Sequence, residues 1–514
     1  MNETPGLMQR RSPLAASGAK DRAALKVSVS ERRAKQPRGD GGSQSSFTVP
    51  PVGGEPRPKG ATVGKEGTGS NGTSKGNMEG TPKPQTMSPR LRRIAELAAK
   101  DKKLAFISLA HHLDVEMLYQ AYSKLRKDAA SGADGQTAET YAENLGENLN
   151  DLHSRLKTRR YCATPVKRVW IDKEDGKKRP IGITALEDKI VERAVVMILE
   201  QIYEQDFYEF SQGYRPDKGA HQALKMLREF IMNHRVEAIV DADITGCFDN
   251  LDHGVMRTLL NRRVKDGGIM RLIGKWLKAG VIEGKKLFYP EKGTPQGGVI
   301  SPLLANIYLH YVLDEWFVKD IMPRLKGKAF LIRFADDFVM VFEYESDAKR
   351  VLEVLPKRME KYKLTIHPKK TRLVAFKRPP NECEKNKESG SFDFLGFTHY
   401  WARSRQGYWV IKRRTARKRL RRAVRAINDW CRENRHVDVK EQHRKLSQKL
   451  KGHYQYYGLR CNYQSLDIVY NHTKKLWRKW LSRRSQKARL NWEKFKRIGE
   501  RFPLPAPRII HQFV

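Results

Sequence analysis

Three aspartates stand where apolar segments of the sequence end. Asp336 and Asp337 are adjacent between two β-rich runs, and Asp243 closes an apolar strand predicted over 236–244. Because unpaired acids are costly to bury inside a strand, the adjacent pair favours a hairpin turn. Such a pair alone would suit an ordinary acidic turn, but a second strand that also ends in acid favours a site. If the strands are neighbours, the carboxylates converge as the hard oxygen ligands that Mg²⁺ prefers, and two such ions about 4 Å apart suit phosphoryl transfer.

The elements that must position these acids follow from hydrophobic periodicity. Apolar residues at helical spacing predict the helices, and short apolar runs bounded by turn signals predict the strands. A hairpin is expected around the turn 174–176, with strands over 166–171 and 179–183. The predicted helices cover 105–127, 137–157, 187–204 and 219–234.

Charge and composition limit the class of partner. The 514 residues contain 100 Lys and Arg against 58 Asp and Glu, a formal net charge of +42. Such a surplus favours a polyanionic partner, either nucleic acid or an anionic membrane surface. No stretch approaches the length of about 18 apolar residues that a membrane span needs. Five scattered cysteines without a Cys-x-x-Cys pair argue against a disulfide framework or a structural zinc site. We therefore expect a reduced, cytoplasmic protein that binds nucleic acid.

Residues 1–88 differ in composition from the rest of the chain. They hold 14 of the 38 glycines and 9 of the 24 prolines, but Phe47 is their only aromatic residue. Such a segment buries too little apolar surface to offset the entropy lost on ordering. The sequence therefore predicts a disordered low-complexity tail over 1–88, although the basic residues 31–35 would also suit RNA contact or a transit peptide.

Seven blocks in order give the chain a family resemblance. From about residue 89 onwards it resembles the reverse transcriptase–maturase proteins encoded by bacterial group II introns. In the block that contains Asp336 and Asp337, this chain has Phe334 where the family usually has tyrosine. This difference leaves the metal ligands unchanged. The blocks are Gly176–Ile183, Ser211–Pro216, Asp243–Asp249, Gly293–Pro302, Phe334–Asp337, His367–Thr371 and Phe392–Phe397.

The resemblance implies an α+β fold with the right-hand architecture of polymerases. We expect a helical N-terminal extension over 89–160, reverse transcriptase fingers and palm over 161–400, and a basic three-helix thumb or maturase domain over 401–514. It also implies catalysis by Asp243, Asp336 and Asp337 in a two-metal Mg²⁺ site, with Ile244 as a further metal ligand.

The resemblance implies nucleotide contacts around these acids. Arg179 would contact the triphosphate with Lys177 and Lys178, and Phe248 would block a ribose 2′-hydroxyl. Gln296 would hold the nucleotide, and Lys369 or Lys370 would assist departure of pyrophosphate. A solvated basic turn, a core phenylalanine and a plain turn remain the alternatives for Lys178–Arg179, Phe248 and Gln296, and adjacent lysines such as 369–370 are usually solvated.

The last hundred residues before 501 carry over half of the surplus charge. Residues 401–500 contain 30 Lys and Arg and 7 Asp and Glu, so their net charge is 30 − 7 = +23. Three apolar stripes at helical spacing, around Val424, Leu450 and Val469, predict three helices with basic outer faces. In the family this region grips template–primer duplex and intron RNA. The residues expected to contact RNA are Arg421, Arg422, Lys474, Lys475 and Arg478.

The implied function is RNA-directed DNA synthesis coupled to splicing and retrohoming of the parent intron. The expected partners are intron RNA, an RNA template with a DNA primer, dNTPs and target DNA, in the bacterial cytoplasm near the nucleoid. Residues 485–514 hold one histidine, His511, and no cysteine, so we expect no nuclease site there. Two alternatives stay open: a host-adopted reverse transcriptase in defence or repair, and an RNA-binding splicing cofactor without polymerase activity.

Overall fold

A computed structural model describes residues 88–172, 178–380, 389–485 and 490–512. All of these belong to one unit of the chain, residues 77–514. The predicted tail up to residue 87, the predicted turn 174–176 and Lys177 lie outside the described residues. Among the described residues, no helix combines the length and the apolar character needed to cross a membrane.

The fold is mixed, with fifteen α-helices and eleven strands among the described residues. The strands are β1 Val166–Asp172, β2 Lys178–Ile183, β3 Ala238–Asp243, β4 Val281–Glu283, β5 Lys286–Phe288, β6 Ala329–Phe334, β7 Asp337–Phe342, β8 Arg372–Ala375, β9 Phe392–Phe394, β10 Phe397–Arg403 and β11 Trp409–Thr415. The helices are α1 Pro89–Lys100, α2 Val115–Ser123, α3 Ala138–Ala142, α4 Leu145–Lys157, α5 Leu186–Asp206, α6 Ala220–Asn233, α7 Cys247–Asn250, α8 His253–Leu260, α9 Gly267–Leu277, α10 Ser301–Leu309, α11 Glu345–Lys361, α12 Arg417–Glu433, α13 Val439–Tyr457, α14 Tyr463–Leu481 and α15 Trp492–Arg501.

The central sheet has the strand order β6-β7-β3-β8, and every neighbouring pair is antiparallel. Side chains alternate between its two faces, as the period of a strand requires. One face packs into a core with α5, α10 and α11, and the other packs against α6 and the sheet β9–β11. Burial on both faces explains why residues 338–342 of β7 are apolar without a break.

Two long helices and the first hairpin follow the sequence prediction. The segments 187–204 and 219–234 lie within or at the edges of α5 and α6, and the predicted strand 236–244 contains β3. Buried residues surround α5 on most of its circumference, which is typical of a helix in the middle of a core. Strands β1 and β2 pair antiparallel, with Trp170 opposite Pro180.

Two predicted helices are wrong in extent. The segment 105–127 contains a 3₁₀ turn, Ala110–His112, and only then α2, because the Asp114 side chain accepts a hydrogen bond from the Met117 amide and begins a new helix. The segment 137–157 is interrupted at 143–144 and forms α3 and α4. Hydrophobic period carries no information on where such caps interrupt a helix.

The basic C-terminal region forms the three predicted helices, α12, α13 and α14, around their own core. The predicted apolar stripes lie towards it, for example with Cys431, Leu450 and Val469 buried. A fourth helix, α15, was not predicted and packs on the same core through Phe495.

The helix α10 begins next to a buried acid of α5. Glu192 accepts hydrogen bonds from the backbone amides of Val299, at 2.5 Å, and Ile300, at 3.2 Å. Burial raises the pKa of Glu192 to about 8, against the opposing effect of those amides. The side chain thus anchors the loop that precedes α10 and carries Gln296.

This raised pKa predicts how stability depends on pH. Between about pH 4.5 and 8 the folded state binds more protons than the unfolded state, so stability falls as the pH rises through that window. Glu192→Gln has no charge to bury, and its carbonyl can still accept the two amides. We expect the variant to melt about 2 °C or more above the wild type at pH 8 and the difference to shrink towards pH 5. Parallel melting curves at pH 5, 6.5 and 8 measure this, and a difference that does not change with pH would contradict it.

Candidate active site

The three aspartates named from the sequence lie at one edge of the central sheet. Strands β3 and β7 are neighbours as predicted, and their register sets Asp243 directly opposite Asp337. Residues paired in this way have Cβ atoms about 4.5–5.5 Å apart and share one face of the sheet. Asp336 is the second residue of the two-residue turn that joins Phe334 to Asp337. Adjacent strands therefore bring together carboxylates that are about ninety residues apart in the sequence.

The turn before Asp337 has an uncommon backbone conformation. Ala335 has φ +60°, in the left-handed region that glycine normally occupies in such hairpins. The segment behind it restrains the turn, because the Gln212 amide donates to the Arg333 carbonyl at 2.8 Å. A Cβ atom at Gly213 would lie 2.2 Å from the Ala335 nitrogen, so only glycine allows this approach.

A fully buried arginine fixes the turn from inside. Arg333 forms an ion pair with Asp314, at 2.5 Å, and neither side chain is exposed. Asp314 lies in a π-helical stretch that continues α10. The guanidinium also donates to the Asn306 side chain, the Ser211 hydroxyl and the Ala335 carbonyl at 2.7–2.9 Å, so all five of its N–H groups are used. The position of the turn therefore depends on a satisfied polar network in the core.

The site concentrates negative charge. Burial, and after it the nearby carboxylates Asp241, Asp336 and Asp243, raise the pKa of Asp337 to about 7. Burial also raises the pKa of Asp336. Asp241 lies two residues before Asp243 on the same face of β3, and Arg372 pairs with it at 3.1 Å. Sequence reasoning missed Asp241, although alternation along a strand would have placed it beside Asp243.

The chemistry of these side chains fits a divalent cation. Within the described ranges, no three histidine, cysteine or carboxylate side chains are gathered closely enough to hold a metal. The Lys370 ammonium instead lies 2.8 Å from a carboxylate oxygen of Asp243, where it supplies positive charge. The ion pairs of Lys370 with Asp243 and of Arg372 with Asp241 show that this edge of the sheet attracts cations. The backbone amides of Thr245 and His367 form hydrogen bonds on either side of Ile244, and neither bond uses the Ile244 carbonyl.

Residues from three separate motifs meet beside the acids. Arg179 of β2 donates to the Gln296 side-chain carbonyl at 2.9 Å, and the Gln296 amide donates to Asp249 at 2.9 Å. The backbone of Gln296 also accepts from the Gly182 amide at 2.7 Å. Gly297, at φ +127°, would carry a Cβ atom 2.4 Å from the Gly182 carbonyl oxygen. Gly297 therefore allows its own backbone and that of Gly182 to approach closely. Lys178 is exposed at the start of β2.

Two aromatic rings lie next to this group. Phe248 is 8% exposed in the short helix α7, and its ring meets the edge of Tyr214 at a centroid distance of 6.3 Å. Tyr214 is 56% exposed and has φ +57°, rare for an aromatic residue. Its charge environment includes both Asp336 and Arg179. Sequence reasoning named Phe248 and missed Tyr214, which stands in a quoted motif but far from the acids in sequence.

The predicted RNA contacts lie on two helices that pack together, α12 and α14. Arg421, Arg422 and Lys475 are exposed, whereas Lys474 and Arg478 are half-buried over Tyr470 and Trp492. The N-terminal part of α12 lies near the acids, because Arg419 lowers the pKa of Asp337 against the larger effect of burial.

Comparison with known proteins agrees with this geometry. Residues 171–399 match the family of reverse transcriptases, the RNA-dependent DNA polymerases. The chain is 36% identical over 283 residues to the group II intron-encoded protein LtrA of Lactococcus lactis subsp. cremoris, which covers 52% of this chain and 46% of that protein. It is 34% identical over 238 residues to Protein YkfC of Escherichia coli, covering 41% and 62%. It is also 32% identical over 197 residues to a putative COX1/OXI3 intron 2 protein of Saccharomyces cerevisiae, covering 38% and 23%.

The matched segment contains the acidic edge and the residues that converge on it, so this part of the chain is a reverse transcriptase domain with a polymerase-like fold. Beyond that segment, the chain is similar to proteins named as group II intron-encoded and intron proteins. It spans about half the length of LtrA and about three fifths of Protein YkfC.

The buried pair behind the turn gives a stability prediction. Asp314→Asn leaves the Arg333 guanidinium buried without a counter-charge, and breaking such a pair costs about 3–5 kcal/mol. Asp128→Asn is the matched control, since its partner Arg126 is largely exposed and such an ion pair contributes little to stability. Denaturant unfolding of both variants measures the difference. Equal stability of the two variants would show that Arg333 does not depend on Asp314.

Proposed function

We propose that the chain is an RNA-directed DNA polymerase of a group II intron that also binds intron RNA as a maturase, assisting splicing and retrohoming. The observation that carries the proposal is the register that sets Asp243 opposite Asp337 beside the Asp336 turn, within the segment that matches reverse transcriptases. A splicing cofactor without polymerase activity would not need this concentration of carboxylates.

The proposed architecture is a right hand. The fingers would contain the sheet β2-β1-β4-β5, the palm the central sheet, and the thumb the helices α12, α13 and α14. An N-terminal extension would cover 89–160, the fingers and palm 161–400, and the thumb region 401–514. Strand β11 runs to Thr415, so the helical part of the thumb would begin with α12 at Arg417.

We propose Mg²⁺ as the cofactor, held by Asp243, Asp336 and Asp337 with the Ile244 carbonyl. When bound, two such ions would supply charge neutralisation and activation of the primer 3′-hydroxyl. Lys370 would leave Asp243 when the carboxylate binds a cation, and it would then be free to meet the phosphates of the nucleotide. Burial raises the pKa values of Asp336 and Asp337, and a bound cation would lower both pKa values and so favour loss of the proton.

The dNTP would lie between the acids and the Arg179–Gln296–Asp249 chain. Arg179 would offer its guanidinium to the triphosphate together with Lys178, because a planar fork of donors matches phosphate oxygens. Asp249 would hold the side-chain amide nitrogen of Gln296 so that the side-chain carbonyl of Gln296 orients Arg179. Phe248, backed by Tyr214, would close the side of the site that faces the sugar.

The RNA template with its DNA primer, intron RNA and target DNA would bind the basic thumb. The exposed cations of α12 and α14 support phosphate contact, which supplies affinity and salt dependence but little sequence information. Relatives named as intron proteins, and a nuclear intron maturase of Arabidopsis thaliana that is 31% identical over 180 residues, support the link to splicing.

Neutralising the acids should separate synthesis from RNA binding. The double variant Asp336→Ala with Asp337→Ala should lower dNTP incorporation on a primed RNA template by several orders of magnitude, because it removes ligands and charge from the site. Binding of intron RNA should persist or tighten slightly, since two acids are lost and Arg419 of α12 acts on one of them, Asp337. A salt series of RNA binding, run beside primer extension, measures both.

The complementary variant replaces Arg421, Arg422, Lys474 and Lys475 by alanine. It should weaken RNA binding and reduce the salt slope by roughly 0.7–0.9 per lost phosphate contact, while incorporation persists at saturating template. Full activity of the double aspartate variant would show that the proposed catalytic site is wrong. Loss of RNA binding in that same variant would contradict the division between palm and thumb.

Phe248 should control discrimination between sugars. Phe248→Ala leaves a void where the ring would meet a 2′-hydroxyl, so the ratio of kcat/KM for dNTP over rNTP should fall about tenfold or more, the equivalent of roughly 1.4 kcal/mol. Phe248→Tyr keeps the ring and is the control. Taking the ratio within one preparation cancels any loss of folded protein. Unchanged discrimination in Phe248→Ala would remove this residue from the nucleotide site.

A further inference from the structure

An open groove of about 410 Å³ lies between α14, α15 and the residues that follow α15. Aromatic rings form a large part of its lining, with Trp477 and Phe495 buried and Tyr470 and Trp492 more exposed. None of the residues proposed for catalysis lines it. The groove is therefore a separate feature of the C-terminal helices.

Trp492 presents an indole that is already held in place. It is 49% exposed, one of the largest exposed apolar side chains among the described residues. Arg478 lies over the ring at 4.2 Å from its centroid, and Phe495 meets it nearly at a right angle at 5.8 Å. A ring restrained by such neighbours loses little freedom when a flat ligand stacks on it.

A glycine keeps the groove open. Gly499 lines it from within α15, where glycine is disfavoured relative to alanine. Its backbone is not in the left-handed region, and a Cβ atom built on it would meet no heavy atom within 4 Å. Neither turn geometry nor close packing therefore requires glycine at this position, whereas any larger side chain would project towards the groove.

The charges around the groove suit a polyanion. Lys474 and Lys496 line it together with one acid, Glu500. Exposed aromatic rings beside lysines are the combination with which proteins bind single-stranded nucleic acid, because the rings stack on bases and the ammonium groups meet phosphates. The same helix α14 carries Lys475, a proposed RNA contact.

We propose that this groove holds one unstacked base of a single-stranded nucleic acid, stacked on Trp492. The inference rests on the proposed binding of nucleic acid by the thumb. It adds to that surface a contact that is specific for unpaired bases. An unpaired base of bound RNA and an unpaired base of target DNA share this chemistry, and the experiment distinguishes them.

The test measures the affinity of the full chain for hairpins that carry three unpaired nucleotides. Each hairpin is made as RNA and as DNA, with either normal bases or abasic sites at the unpaired positions, which keep the phosphates. Removing the bases should weaken binding to the wild type by about 5- to 150-fold, the range for one base–aromatic stack. Trp492→Ala should bind the normal hairpin as weakly and show no further loss with the abasic one.

Three further variants address folding, position and charge. Gly499→Leu fills the groove without removing a contact, in a helix that favours leucine, and should lose the same base-dependent affinity. Tyr463→Ala, which removes an exposed aromatic residue of α14 outside the groove, should leave it unchanged. Trp492→Ala and Gly499→Leu should keep the salt slope of the wild type, whereas Lys475→Ala should reduce it.

Loss of the base effect in both groove variants, with RNA or with DNA, supports the proposal and identifies the strand. If the effects of Trp492→Ala and of the abasic sites simply add, the base does not stack on Trp492 and the proposal is overturned. An unchanged salt slope in Lys475→Ala would instead contradict the proposed role of the thumb as a phosphate-binding surface. The two failures are therefore distinguishable.

Discussion

Burial of several carboxylates at one sheet edge is the constraint on which the neighbouring structure depends. Burial and the carboxylates of Asp241, Asp336 and Asp243 together raise the pKa of Asp337 to about 7, so negative charge is unfavourable there. Cations from different parts of the chain offset it: Arg372 pairs with Asp241, Lys370 with Asp243, and Arg419 of α12 acts on Asp337. Through Arg419, helix α12 of the basic C-terminal region therefore stabilises the acidic edge.

The acids also need a rigid support, because a turn with φ +60° at an alanine does not persist unless its surroundings hold it. Arg333 supplies that support by joining the turn to α10, to its π-helical continuation and to the 211–213 segment. The outer side of the site is held instead by hydrogen bonds between exposed side chains, those of Arg179, Gln296 and Asp249. A rigid base beneath an exposed outer rim would suit the proposed nucleotide site, which would have to admit a nucleotide and release pyrophosphate.

Sequence periodicity predicted the long elements and failed at their interruptions. Helix α5 and strand β3 followed from runs of apolar residues, because each buries most of its surface. The break before α2 depends on a cap at Asp114, which the hydrophobic pattern does not record. Helix α15 is short and mostly charged, with Phe495 its one buried residue, so its apolar pattern is too sparse to predict it.

The sequence by itself determined which residues are candidates for the chemistry: three aspartates at the ends of apolar runs, a basic hairpin, a glycine-rich loop and a cationic C-terminal region. These follow from residue type and local spacing, which the chain displays directly. Only the tertiary structure decided that Asp241 joins the acids, that Tyr214 meets Phe248, that Arg333 fixes the turn and that α14 and α15 enclose an aromatic groove. Each of these depends on strand register or on packing between segments far apart in the sequence, and no local pattern encodes such contacts.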